Sequence, residues 1–269
     1  SQFLKRMLER ANANGYVIGL SGGIDSTTNT YLAIKAVGRE KVKVLIMPDS
    51  DVTPEEDTED AIAVAKLLGV EYYLFDISEL VKSFSKTLPF FDASHNVSVG
   101  NLRARIRMAS LYYFANRFNM LVIGTSDKSE ILLGYFTKYG DGGADIIPLG
   151  DLYKTQVRDL AKFFGIPERI ISKPSSPRLW RGQLAESELG LKYEIIDSIL
   201  HLYIDMKMDV KNIASILGIS IDDVTKVVKR IYDSEHKRRT PVIPKLTATN
   251  ITYDMRLPIY VGESKIHGP

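Results

Sequence analysis

One stretch restricts this chain more than any other: Gly19, Leu20, Ser21, Gly22, Gly23, Ile24, Asp25 and Ser26. The apolar run 16–20 reads as a buried strand, and residues 27–37 read as a helix ended by Gly38. A strand, a Gly-Gly turn and a helix start together make a device for holding phosphate. Glycines let the backbone approach an anion closely, and the free N–H groups of the first helical turn point at it. Ser21 and Ser26 add hydroxyl donors, and Asp25 can hold a magnesium ion beside the phosphates. The loop lacks the lysine of a Walker A motif and the third glycine of a dinucleotide fingerprint, so it predicts a nucleotide site of another kind. The plainer alternative is a tight turn without a ligand.

Further strands are expected at 42–47, 71–76 and 121–124, alternating with helices at 3–12, 54–68, up to 86, and 99–118. The helix after Pro48 is expected to start with Thr53 as N-cap and Glu56 closing a capping box. Near-continuous apolar strands separated by helices predict an α/β fold, a Rossmann-like parallel sheet with helices on both faces. Ligands of such sheets sit at the carboxyl ends of the strands, so residues 21–26, 48–51 and 125–130 should converge. The second half reads differently. Residues 134–150 form a Gly- and Asp-rich loop, 153–164 a helix, 173–181 a mobile Pro/Ser loop, and 191–204, 210–217 and 221–233 a helical C-terminal portion. From Thr240 onward, prolines at 241, 244, 258 and 269 suggest a tail wrapping over the surface. Residues 1–269 are read as a single domain.

Charge and composition exclude several classes. A formal net charge of +2 gives no polyanion-binding surface, so no nucleic-acid partner is expected. The absence of cysteine removes disulfides, thiolate zinc sites and a cysteine nucleophile. No apolar run reaches membrane-spanning length and residues 1–13 do not read as a signal peptide, so a soluble cytoplasmic protein is expected.

Other chemistry-bearing residues cluster in four places. Arg103 and Arg107 share one helical face, and Arg105 points away. Thr125 ends a strand, and Glu130 lies a turn into the next helix, where it either faces Asp25 or is exposed beside a Ser126 cap. Lys138, Asp141 and Asp145 are charges along a glycine-rich backbone, with Lys154 opening the helix beyond. His236 and Lys237 lie in the one dense basic cluster, which alone would be a surface patch.

The segment SGGIDS resembles the signature of the ATP pyrophosphatase (N-type PP-loop) superfamily. Together with NLRAR, GTSDKSE, GYFTKYGDGGADIIPLGDLYK and ESELG in this order, the chain resembles the ammonia-dependent NAD synthetases. That resemblance implies an adenine nucleotide alpha hydrolase-like fold and amidation of deamido-NAD⁺ by ammonia through an NAD-adenylate, giving NAD⁺, AMP and pyrophosphate. It implies that Gly19 to Ser26, Thr125, Lys154 and Ser176 bind ATP, and that Asp25 and Glu130 hold Mg²⁺. It assigns Arg105, Lys138, Asp145, His236 and Lys237 to deamido-NAD⁺, and Asp141, Lys154 and Ser21 to catalysis. Asp141 would bind and deprotonate ammonium. Ser175, adjacent to Ser176, could exchange with it. A homodimer is also implied. Two other readings remain: another ATP pyrophosphatase, and a non-catalytic ATP-sensing module.

Overall fold

The computed structural model describes residues 1–251. Its sheet has four parallel strands in the order β3-β2-β1-β4. These are β1 (Tyr16–Gly19), β2 (Val42–Ile46), β3 (Glu71–Leu74) and β4 (Leu121–Ile123). Ile18 lies opposite Val44 on one side and Ile123 on the other, so β1 is central. The order reverses at β1, which puts its carboxyl end at the switch point where such sheets bind ligands.

Side chains of β1 alternate between two cores, as the period of a strand requires. Tyr16 and Ile18 pack with α1 (Gln2–Ala11), α2 (Ile24–Val37), α3 (Glu55–Leu68) and α7 (Lys154–Phe163). Val17 packs on the other face with α4 (Ser78–Thr87) and α5 (Asn96–Phe118). All three residues are fully buried, as expected for a sheet covered on both faces. The edge strand β3 departs from that pattern, with Glu71 and Leu74 exposed.

A third core lies outside the sheet. It joins Leu133 of α6 (Lys128–Leu133) to α10 (Tyr193–Leu200), α11 (Val210–Leu217) and α12 (Ile221–Asp233). This is the helical portion expected at 191–233, although its first helix continues past Leu200 as a π-helical turn, His201–Asp205. Two short helices, α8 (Glu168–Ile171) and α9 (Ala185–Leu189), bracket the 173–181 loop. Residues 240–249 are exposed and lack regular secondary structure, while Pro258 and Pro269 lie outside the described residues. No helix among the described residues is long and apolar enough to cross a membrane.

Several helix starts differ from the sequence reading, α5 for instance beginning at Asn96 rather than 99, and two of them bear on the site. α2 begins at Ile24, because Gly23 in extended conformation is its N-cap, and this brings Asp25 and Ser26 into the first turn. The Thr53 capping box does not form. Pro54 occupies the N-cap position, and the Thr53 hydroxyl instead accepts the Asp49 N–H at 3.0 Å. The 48–53 turn therefore takes the hydroxyl that the helix would have used.

Candidate active site

The carboxyl ends of β1, β2 and β4 open into one cavity of about 260 Å³. Gly19, Leu20, Ser21, Gly23, Ile24, Asp25 and Ser26 line it, as do Pro48, Thr125 and Glu130, so the expected convergence is present. No side chain caps α2, which leaves the N–H groups of its first turn facing this space. The loop is self-braced. The hydroxyls of Ser21 and Ser26 lie 3.0 Å apart, the Ser26 Oγ accepts the Ser21 N–H, and the Ser21 Oγ accepts the Gly23 N–H.

Gly22 does not line the cavity; it turns the loop back against α3. Its φ is +75°, and an added Cβ would stand 2.4 Å from the Asp57 carbonyl oxygen. Gly22→Ala is therefore expected to lower stability by about 2–4 kcal/mol, from left-handed strain plus a backbone clash. Urea unfolding with a midpoint matching the parent would refute this.

Lys154 is the centre of charge. Its side chain is completely buried at the start of α7, and its Nζ lies 2.7 Å from Asp25 Oδ2, 2.8 Å from Asp127 Oδ2 and 3.0 Å from Glu130 Oε1. The Asp25 and Glu130 contacts are hydrogen bonds, while Asp127 Oδ2 is an ion-pair contact without hydrogen-bond geometry. Burial alone would lower the Lys154 pKa. The carboxylates of Asp127, Asp25 and Glu130 outweigh that and hold it well above its ordinary value. Burial, aided by neighbouring negative charge, pushes Asp127 up to about 6 and Glu130 well above the usual carboxylate range.

Asp127 has no role in the sequence reading, and Ser126 is not the cap. Asp127 is the N-cap of α6, accepting the Glu130 N–H at 2.8 Å, and Glu130 returns the bond to the Asp127 N–H. The Asp-x-x-Glu spacing of a capping box was the signal for it. This box fixes Glu130 toward Asp25 rather than toward solvent.

The donor set suits Mg²⁺. Asp25 and Glu130 offer hard carboxylate oxygens, and Asp25 Oδ1 is buried without a hydrogen-bond partner. No group of three or more His, Cys, Asp or Glu side chains among the described residues is arranged to hold a metal ion. Two protein ligands, with phosphate oxygens and water completing the shell, match this arrangement.

Arg107 and Asp141 also line the cavity. Arg107 Nε donates to the Met47 carbonyl at 3.0 Å, and burial lowers its pKa to about 10 despite the opposing Asp49 charge. Arg103, on the same helical face, is buried and bonds Asp49 Oδ2 at 2.5 Å. Asp141 Oδ1 accepts the Thr137 N–H at 2.8 Å. Solvent reaches Asp141 through the cavity, yet the surrounding protein raises its carboxyl above the ordinary range.

The 173–181 loop, expected to be mobile, is tied down over the cavity. Lys173 and Arg178 both pair with the buried Asp57, at 2.9 and 2.8 Å, and Arg103 donates to the Leu179 carbonyl. Ser175 and Ser176 both line the cavity, but the Ser176 Oγ is engaged within the loop, donating to Gln183 O at 2.5 Å.

The five residues assigned to the dinucleotide are not gathered in the cavity. Arg105 donates to the Lys138 carbonyl at 3.3 Å, and the Lys138 ammonium lies over the Tyr139 ring. Asp145 Oδ2 accepts the Val122 N–H at 2.7 Å, securing the outer edge of β4. Lys237 Nζ donates to the carbonyls of Gly134 and Phe136, beyond the end of α6, whereas His236 is exposed.

A sequence model of the NAD synthase family matches residues 1–241. The NH(3)-dependent NAD(+) synthetase of Staphylothermus marinus is 50% identical over 245 residues, 91% of this chain and 89% of that protein. Its counterpart from Hyperthermus butylicus is 52% identical over 248 residues, 92% and 89% of the two chains. Among solved structures, an NMN synthetase from Francisella tularensis superposes with a TM-score of 0.80 at 34% identity, covering 91% of this chain and 95% of that one. An NH3-dependent NAD synthetase from Campylobacter jejuni, solved with a nitrate ion, gives a TM-score of 0.75 at 31% identity over 91% and 95%. With a family match across most of its length and relatives this similar over nine-tenths of it, the chain belongs to the NAD synthase family.

Proposed function

We propose that this chain is an ammonia-dependent NAD synthetase that amidates deamido-NAD⁺ at the expense of ATP. The observation that carries the reading is the pairing of the buried Lys154 with Asp25 and Glu130, two carboxylates that line the same cavity as Asp141. The curated relatives bear the same activity in their names.

The chemistry has two displacements. A nicotinate carboxylate oxygen attacks the α-phosphorus of ATP, and the bond to pyrophosphate breaks, leaving a mixed acyl-adenylate. Ammonia nitrogen then attacks the activated carbonyl carbon, the carbon–oxygen bond to AMP breaks, and a proton leaves the nitrogen. The first-turn N–H groups of α2, with the Ser21 and Ser26 hydroxyls, would bind the phosphates. Lys154 would turn its charge toward the phosphoryl oxygens as negative charge develops there. Asp25 and Glu130 would hold Mg²⁺, whose charge favours departure of pyrophosphate. Asp141, an anion facing the cavity, would capture ammonium and take its proton. Thr125 and Ser176 line the same space and would contact ATP, with Ser175 as the alternative to Ser176.

Arg105, Lys138, Asp145, His236 and Lys237 would meet the dinucleotide at a boundary with a second copy, which agrees with their position outside the cavity. A homodimer is supported by the apolar side chains that α4 and α5 expose, Leu80, Phe84, Val97 and Tyr113. Residues 1–269 form one catalytic domain in this proposal, and a cytoplasmic location follows from the use of ATP.

Purified protein with Mg²⁺, ATP, ammonium and deamido-NAD⁺ is expected to yield NAD⁺, AMP and pyrophosphate in equal amounts. No product across a range of temperature and pH would overturn the proposal. Faster turnover of the mononucleotide counterpart would move it toward the activity named for the Francisella structure.

A further inference from the structure

Two side chains on α10 reach Lys154 from outside the cavity. Tyr193 and Asp197 are one turn apart and share a face of that helix. The Tyr193 ring centroid lies 5.2 Å from the Lys154 ammonium. Asp197 never touches the ammonium; it holds the backbone beneath it. Its Oδ2 accepts the Thr155 N–H at 2.8 Å, and its Oδ1 accepts the Ser129 hydroxyl at 2.5 Å. The Ser129 Oγ in turn accepts the Lys154 N–H at 3.0 Å.

These three bonds join the start of α7 to the start of α6. α7 supplies Lys154, and α6 supplies Asp127 and Glu130, so one carboxylate fixes the spacing of the ammonium and two of its partners. The side chains involved are buried: Ser129, Lys154 and Tyr193 at 0% exposure, Asp197 at 5%. A buried anion is costly unless its bonds are satisfied, and here one comes from the amino end of the ten-residue α7 and the other from the Ser129 hydroxyl on α6. A cap for α7 alone would not need the Ser129 bond. A cap for α6 already exists in Asp127.

We propose that α10 is a positioning element for the phosphoryl-transfer step, with Asp197 as a positioning residue that acts through Ser129 and the Lys154 backbone, and Tyr193 as the wall that keeps the ammonium toward Asp25. This rests on the reading of Lys154 given above. It assigns the helical C-terminal portion a part in the chemistry as well as in packing.

The test uses the full-length enzyme in steady state with all substrates varied. Asp197→Asn keeps an acceptor for the Thr155 N–H and removes the charge that receives the Ser129 hydroxyl. Its kcat is expected to fall about 10- to 100-fold, the range for a displacement near 1 Å, while KM for ATP and for the dinucleotide changes less than about threefold. Ser129→Ala, which loses only a hydroxyl, is expected to move kcat in the same direction with the same KM pattern. In a Lys154→Arg background, Asp197→Asn is expected to add less than about threefold, because both changes act on one group.

An unchanged kcat in Asp197→Asn or in Ser129→Ala overturns the proposal. So does a raised KM with kcat held, or a full multiplicative loss in the Lys154→Arg background. If Asp197→Asn does not fold, Ser129→Ala and its cycle with Lys154→Arg decide. An inactive parent enzyme would instead overturn the functional reading.

Discussion

Lys154→Met is expected to stop NAD⁺ formation and to destabilise the protein increasingly as pH rises from 5 to 8. The ammonium is the cation within 3.0 Å of three carboxylates, Asp127 wholly shielded from water and Asp25 and Glu130 largely so. Removing it leaves those charges buried without a partner, which costs about 3–5 kcal/mol at neutral pH. Protonation relieves the cost. Burial already pushes Asp127 up to about 6 and Glu130 well above the carboxylate range, and losing the cation pushes both higher. The unfolded chain releases these protons near pH 4. Between there and the native pKa the folded state holds more protons, so their contribution is present at low pH and lost as pH rises through the native value. The variant should therefore approach the parent in stability near pH 5 and fall away toward pH 8. Urea unfolding of both proteins across that range checks it, and a deficit independent of pH would refute it. The rate should fall by roughly 10³-fold or more, the scale for removing a preorganised charge from phosphoryl transfer.

Asp141→Asn is expected to separate the two displacements. Asparagine keeps an oxygen for the Thr137 N–H, so the 137–141 turn is retained. It cannot hold ammonium as an ion pair or take its proton. Pyrophosphate release in the first turnover should stay near the parent rate, the acyl-adenylate should accumulate, and NAD⁺ formation should fall by about 10²- to 10⁴-fold. Because free ammonia increases with pH, the deficit should narrow at high pH. Rapid-quench sampling of pyrophosphate, adenylate and NAD⁺ makes the distinction. Equal loss of both steps would place Asp141 in substrate binding instead.

The parts of the site legible in the sequence are those written in neighbouring residues. The unbroken apolar run from Tyr16 to Leu20 predicted the doubly covered strand, and Ser21 to Ser26 predicted the turn and helix start, because both depend on neighbouring residues and backbone freedom. The charge centre depends on contacts that spacing does not encode: Lys154 and Asp25 are 129 residues apart. Asp127 passed as part of a helix start because its carboxylate has two roles, one oxygen capping α6 and the other facing Lys154. The Thr53 box failed for a related reason, a hydroxyl with two local partners that chose the turn. Asp57 was invisible as the anchor of the 173–181 loop, since its partners Lys173 and Arg178 lie far along the chain. The dinucleotide set was legible as residues but not as one place, since its members secure β4, hold the backbone just beyond α6 or stand exposed.

The order in which the acids and their cation occur along the chain has a consequence for biogenesis. A ribosome delivers Asp25, Asp127 and Glu130 before Lys154, and Asp197 only some forty residues later. The four strands among the described residues have all been made once Ile123 has emerged, and a few residues later pairing of β4 with β1 would bring three negative charges together before their cation exists. Docking of that segment is then expected to be held back by repulsion until α7 arrives, and to be secured when α10 follows. Cotranslational proteolysis should accordingly find residues 125–150 open to cleavage until about residue 200 has left the exit tunnel, long after the strands that frame them were made.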